Sequence, residues 1–177
     1  LYIFVPAGAQ ATAVMRAAHD LDLKGAGVTL ISTEDLDPDE EIPNMGDLGL
    51  GLVTSGIYSA DADRPANKEF VEAYYKEYGT KLRPDFETAD AWVGMKMIFD
   101  MIKETHGKFT GQQAMTYFEH YKQQTSPKGP WFIDPKTRQI VQHVYMRKIE
   151  KKDGKLVDVE TEDLGLIDAN GQPWKAK

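Results

Sequence analysis

The chain has 177 residues, of which 41 % are hydrophobic and 28 % charged, with a formal net charge of −7 and no cysteine. Acidity on this scale argues against nucleic acid and anionic membrane as main partners, and without cysteine there is neither a disulfide framework nor a thiolate metal site. No window of about 18 apolar residues occurs, so no membrane-spanning helix is expected.

The first element is the apolar run Leu1 to Val5, turned by Pro6-Ala7-Gly8. It reads as a strand buried on both faces. No charged or mobile tail precedes it, so either the N-terminus is unusual or residue 1 is interior to a longer chain; no signal peptide is visible. Ala11, Val14, Met15, Ala18 and Leu21 recur at spacings of three and four, which predicts a helix over 9–22. The run 28–32, VTLIS, is a second short strand, completing a βαβ unit. TEDLDPDEEIPNMGD reads as an acidic loop, and 48–60 as a third strand.

The middle of the chain is helical. Phe70, Val71, Tyr74, Tyr75 and Tyr78 lie on one side of a helix that starts near Pro65 and stops at Gly79. A longer helix is predicted over 86–105, with the stripe Thr88, Ala91, Trp92, Met95, Ile98, Phe99 and Ile102. Thr110 is a predicted N-cap for a third helix carrying Ala114, Met115, Phe118 and Tyr121. From Ser126 the pattern becomes strand, turn, strand, turn, strand, with Asp153-Gly154 as a hairpin signal. The stretch 146–155 reads as a solvated hairpin, and 168–177 as a surface tail. The middle helices lack strands of their own to cover, which points to sheet material outside this chain.

No reaction chemistry is apparent. His19, His106, His120 and His143 have no metal-like spacing, and the acids of 34–41 lack a glycine-centred calcium pattern. Gly25-Ala26-Gly27 lacks the rest of a dinucleotide fingerprint, no Gly-x-Ser-x-Gly occurs, and Ser55 and Ser59 have no nearby base. Trp92, Trp131 and Trp174 read as packing residues, with Trp131 left without a place. No catalytic residue, metal or cofactor is expected.

GLVTSGIYSADADRPANKEFVEAYYKEYG resembles type I periplasmic binding proteins, the group that includes branched-chain amino acid-binding proteins of ABC transporters. YIFVPAG, PANKEFVEAY, TADAWVGMKMI and SPKGPWFIDPKTRQIVQHVYMRKIE follow in the order of that family. The resemblance implies an α/β, two-lobe type I periplasmic-binding-protein fold, with Rossmann-like parallel sheets and flanking helices, present as a partial chain. It further implies a C-terminal half: 1–56 as a second-lobe βαβαβ portion, 57–142 as first-lobe helices and hairpin, and 143–177 as the return crossover and last second-lobe strands. The implied function is a solute-binding protein of an ABC importer, periplasmic or lipid-anchored outside the cell. Its partners would be a small-molecule ligand, the membrane permease and the N-terminal half of the same protein. A ligand-sensing domain of a receptor or regulator is the alternative.

Open α/β sheets bind ligands at the carboxyl ends of their strands. The first such end is Pro6, Ala7, Gly8, Ala9 and Gln10, where helix N–H groups can hold an acceptor and Gly8 allows close approach; a plain tight turn is the competing reading. The second is Thr33, Glu34 and Asp35. The resemblance implies an acid here that pairs with a ligand ammonium, Glu34 by register and Asp35 next, against the alternative of an acidic surface loop shared with Asp37, Asp39, Glu40 and Glu41. The third is Ser55 to Tyr58, where packing is favoured for Tyr58 over stacking on ligand. The resemblance also puts a cleft side chain at the start of the long helix, on Asp85 or Phe86. The ligand it implies is an amino acid first, then a small carboxylate, amide or aromatic acid.

Overall fold

Short apolar runs alternating with helix build the first part of the sheet. The computed structural model describes residues 1–175. Strands β1 (Tyr2–Ile3), β2 (Ile31–Thr33) and β3 (Val53–Gly56) lie parallel, with Tyr2 opposite Ile31 and Ile31 opposite Val53. Helix α1 (Ala9–Asp20) crosses between β1 and β2 and buries Ala11, Met15 and Ala18. That spacing of three to four is the predicted stripe. A short helix, α2 (Ile42–Met45), runs into a 3-10 turn at Gly46–Gly49. Ala11, Met15, Leu36, Ile42, Met45, Leu52 and Ile149 form one core, joined by Ile3, Val5 and Leu30.

Two expectations change here. The first strand is not buried on both faces. It is short and lies at the open edge of the sheet, so Ile3 and Val5 pack inward while Leu1, Tyr2 and Phe4 stay exposed. The third strand is also shorter than 48–60, because the 3-10 turn and Gly51 at φ 85° occupy its expected start.

After β3 the chain crosses to helices α3 (Pro65–Tyr78), α4 (Phe86–Glu104) and α5 (Gly111–Glu119). Reciprocal capping boxes start α4, between Asp85 and Thr88, and α5, between Thr110 and Gln113. The buried face of α4 is Ala89, Val93 and Met101, not the predicted stripe. Trp92 is 41 % exposed, Phe99 53 %, and Met95 and Ile102 are exposed too. The helix is apolar on two sides, and periodicity alone does not say which side this chain covers.

The remaining strands are antiparallel. β4 (Lys122–Gln123) pairs β5 (Trp131–Ile133), which pairs the start of β6 (Ile140–Lys152). Residues 145–148 of β6 pair β3 in antiparallel register. β7 (Lys155–Ile167) runs along the opposite edge of β6, with register shifts between His143 and Tyr145 and between Met146 and Arg147. The sheet order is β1-β2-β3-β6-β5-β4. Asp153 and Gly154 both take positive φ, 51° and 78°, which matches the predicted tight hairpin.

Trp131 finds its place in a core with Val93 and Tyr121, its Nε1 donating to Gln123 Oε1 at 2.8 Å. The expected tail turns back on β7 instead. Trp174 N donates to Leu166 O at 2.8 Å, and its ring meets Phe132 edge-on; Ala176 and Lys177 lie outside the described residues.

Candidate functional site

The carboxyl ends of β1, β2 and β3 lie side by side because the three strands are parallel and in register. At the first end, Gly8 takes φ 104° and opens α1, and no side chain caps that helix. The Ala11 N–H turns back to Gly8 O at 2.9 Å, which leaves those of Ala9 and Gln10 to an outside acceptor. A side chain at Gly8 would meet nothing within 4 Å, so the helix start faces open space. Ala7, Ala9 and Gln10 border it.

At the second end, the Glu34 amide donates to Ser55 O at 3.0 Å, which fixes the loop to β3. Glu34 Oε2 accepts from Ile57 N at 2.9 Å and from Arg147 Nη1 at 3.2 Å. Its Oε1 accepts from none of the described residues. Asp35 accepts from Thr33 Oγ1 at 2.7 Å. Gly56 is required here, since a Cβ on it would overlap both Glu34 Oε2 and Arg147 Nη1.

Arg147 was not singled out by the sequence, yet it organises this region. It is 1 % exposed. Its Nε donates to Asp158 Oδ2, and its Nη2 reaches Asp37 O at 3.2 Å and Asp37 Oδ1 at 3.3 Å. Thr54 Oγ1 donates to Asp37 Oδ2 at 2.9 Å. A second cation, Arg83, pairs with Asp39 at 3.1 Å and with Asp61. Asp61 in turn accepts from Asp158 N at 3.2 Å, and Ser59 Oγ donates to Asp158 O at 2.6 Å. The acids of the 34–39 loop are therefore no surface loop: Asp37 and Asp39 are buried. Nor is 146–155 simply solvated, because Arg147 and Ile149 point inward.

Burial raises Glu34, Asp37, Asp39 and Asp158, against the pull of the two guanidinium groups. Glu34 is pushed up to about 7 by burial, with Arg147 opposing. Asp39 is pushed up to about 8 by burial, with Arg83 opposing. Burial also lifts Asp37 well above its ordinary value and raises Asp158, with Arg147 opposing in both. Asp90 on α4 adds negative charge toward Glu34 and is paired with Lys128, whose Nζ also donates to Gln142 Oε1 at 2.6 Å.

The other predicted residues sit elsewhere. Tyr58 has no exposed surface and meets Phe70 edge-on at 6.0 Å, so it packs between the crossover and α3. Asp85 caps α4, accepting from Thr88 N at 2.9 Å. Phe86 packs on the Tyr58–Phe70–Ala89 cluster. Ala7 to Gln10 and Glu34 with Asp35 are brought to one rim; Tyr58, Asp85 and Phe86 belong to the helical packing behind it. A signal for Arg147 did exist: Tyr145, Arg147 and Ile149 alternate along β6, all on the buried face. Among the described residues no group of three or more His, Asp or Glu is arranged to hold a metal, and no helix is long and apolar enough to cross a membrane.

Residues 2–155 match the family described as periplasmic binding protein. The chain is 33 % identical over 153 residues to Leu/Ile/Val-binding protein homolog 6 of Brucella melitensis, covering 86 % of this chain and 39 % of that relative. A solved solute binding protein of an ABC transporter from Rhodopseudomonas palustris BisB5, in complex with 3,4-dihydroxybenzoic acid, is 38 % identical. Its TM-score is 0.87, over 97 % of this chain and 46 % of that one. A second from R. palustris, in complex with 4-hydroxybenzoate, is 37 % identical with TM-score 0.85, over 92 % of this chain and 44 % of that one. The chain thus spans less than half the length of each of these relatives.

Proposed function

The chain belongs to the periplasmic binding protein family, and from that premise we propose that it is the cleft-forming part of an extracytoplasmic solute-binding protein of an ABC importer, taking a small aromatic carboxylic acid. The observation that carries the reading is the convergence at one rim of an uncapped helix start at Gly8 and a half-engaged carboxyl at Glu34. The helix start offers N–H groups to a ligand carboxylate without a charged side chain. The relatives of 37–38 % identity that hold hydroxylated benzoates favour this ligand class. Closing of two lobes would bury the acid, and a membrane permease would read the closed form. The protein would perform no reaction and would work in the periplasm or on a lipid anchor outside the cell.

In this reading residues 1–56 and 143–177 belong to one lobe and 57–142 to the other. The uncovered side of α4 and the open edge of β1 are the surfaces on which the rest of a protein of the relatives' length would pack. Support comes from the chemistry of those surfaces: Trp92, Met95 and Phe99 with α3 line an apolar groove.

A second ligand class, amino acids, is favoured by Glu34 Oε1, an acceptor that an ammonium would suit, and by the name of the Brucella relative. Thermal shift of the full-length protein against 4-hydroxybenzoate, 3,4-dihydroxybenzoate, benzoate and leucine separates the two. The expected outcome is a higher Tm with the aromatic acids. A response to leucine alone would replace the first ligand class by the second, and no response to any would sink the binding role.

A further inference from the structure

Glu34 is held in an asymmetric way. Both N–H donors that reach it, Ile57 N and Arg147 Nη1, bind the same oxygen, Oε2. A proton on this carboxyl therefore belongs on Oε1, the oxygen that no described residue uses. The charges around it do not balance. Arg147 from β6 is shared among Glu34, Asp37 and Asp158. Asp90 from α4 and the adjacent Asp35 add negative charge, while the crossover contributes only the neutral Ile57 N–H. Asp90 is already paired with Lys128, and one guanidinium shared by three carboxylates leaves little positive charge for a fourth anion.

Resting on the aromatic-acid reading above, we propose that Glu34 is the specificity-determining residue of the rim, and that it meets an anionic ligand as the neutral acid, donating from Oε1. Arg147 is its positioning residue. By occupying Oε2 through the gap that Gly56 leaves, it directs the proton to the side where a ligand would sit. The proton comes from solvent as the ligand enters, so net charge at the rim is conserved when a carboxylate arrives. The raised pKa of Glu34, about 7, means this uptake falls within the working pH range. An ammonium ligand would do the reverse and expel the proton.

The test is calorimetry of 4-hydroxybenzoate binding to the full-length protein at pH 7, in two buffers of different ionisation enthalpy. Binding should take up about half a proton, and affinity should weaken about five- to tenfold from pH 6 to pH 8. Glu34→Gln, which keeps a neutral donor, should bind within about threefold of the parent with no proton uptake and a flat pH profile. Gly56→Ala, which removes no charge, should shift the pH midpoint by displacing Glu34 from Arg147. A parent protein that binds 4-hydroxybenzoate without proton exchange would overturn the proposal, as would a Glu34→Gln protein that keeps the uptake. Binding of leucine with proton release would also overturn it, because Glu34 would then be the charged partner. No binding of any of the four solutes would remove the solute-binding reading and this inference with it.

Discussion

The rim below β1–β3 hides charge, whereas the outer side of α4 displays hydrocarbon. In most soluble proteins the two are the other way round. At the rim, Arg147, Asp37, Asp39 and Asp158 are buried and held in ion pairs. On α4, Trp92, Met95, Phe99 and Ile102 remain exposed although Ala89, Val93 and Met101 are covered. The difference teaches what each region is made to meet. Buried ion pairs contribute little net stability, but here they tie the 34–39 loop, the crossover at 59–61 and β7 into one arrangement. A large apolar face of this kind is, in the proposed two-lobe reading, the surface on which the rest of the protein would pack.

The largest effect should come from breaking the ionic side. Arg147→Met leaves Asp37 and Asp158 buried without a cation, and should cost about 3–5 kcal/mol in denaturant unfolding. A loss below about 1 kcal/mol would mean the acids are neutral and the pairs decorative. Next comes a pair on α4. Met101→Ala, on the covered side, should cost about 2–4 kcal/mol, whereas Phe99→Ala on the other side should cost under about 1 kcal/mol in the 177-residue chain. In the full-length protein the two should become similar, and equal values in the short chain would erase the contrast between the faces.

The pH dependence is expected to be smaller and opposite to ordinary acid denaturation. Glu34 and Asp39 have folded pKa values raised to about 7 and about 8, above the ordinary carboxylate range near 4. Over that interval the unfolded chain has already lost protons that the folded chain retains, so stability falls as pH rises. Tm should decline from about pH 4 and level off above about pH 8, and Glu34→Gln should remove the part that ends near 7. A Tm that rises throughout this range would show that the cations win over burial. The smallest expected difference is optical. Acrylamide should quench Trp92 and leave Trp131, which is 3 % exposed, nearly untouched; equal quenching would place both in the same environment.

Much of the fold was legible because short-range chemistry decides it. Pro65 and Gly79 bracket α3, Thr110 caps α5, and Asp153-Gly154 closes the last hairpin. The rim ends at Gly8 and Glu34 follow from the parallel βαβ pattern. What stayed hidden depends on distant partners. Arg147 in a charged run looks solvated until β7 brings Asp158 and the loop after β2 brings Asp37. The sidedness of α4 depends on which apolar face finds a neighbour, and the packing favoured for Tyr58 is completed only by Phe70 of α3.

The β6–β7 hairpin carries a mechanical consequence. Each strand has 13 residues, so the ribbon is about 40 Å long at some 3.3 Å per residue. β5 holds one edge of β6 at 140–142, β3 holds the same edge at 145–148, and β7 runs along the back. Between those grips, at His143 and Val144, only the two-stranded ribbon continues, and one of its register shifts falls there, the other just beyond it. The ribbon is thus gripped at two places along β6, with its turn lying beyond the second. A rotation of the Trp131 grip relative to the Arg147 grip would have to be taken up as twist in the few residues between them.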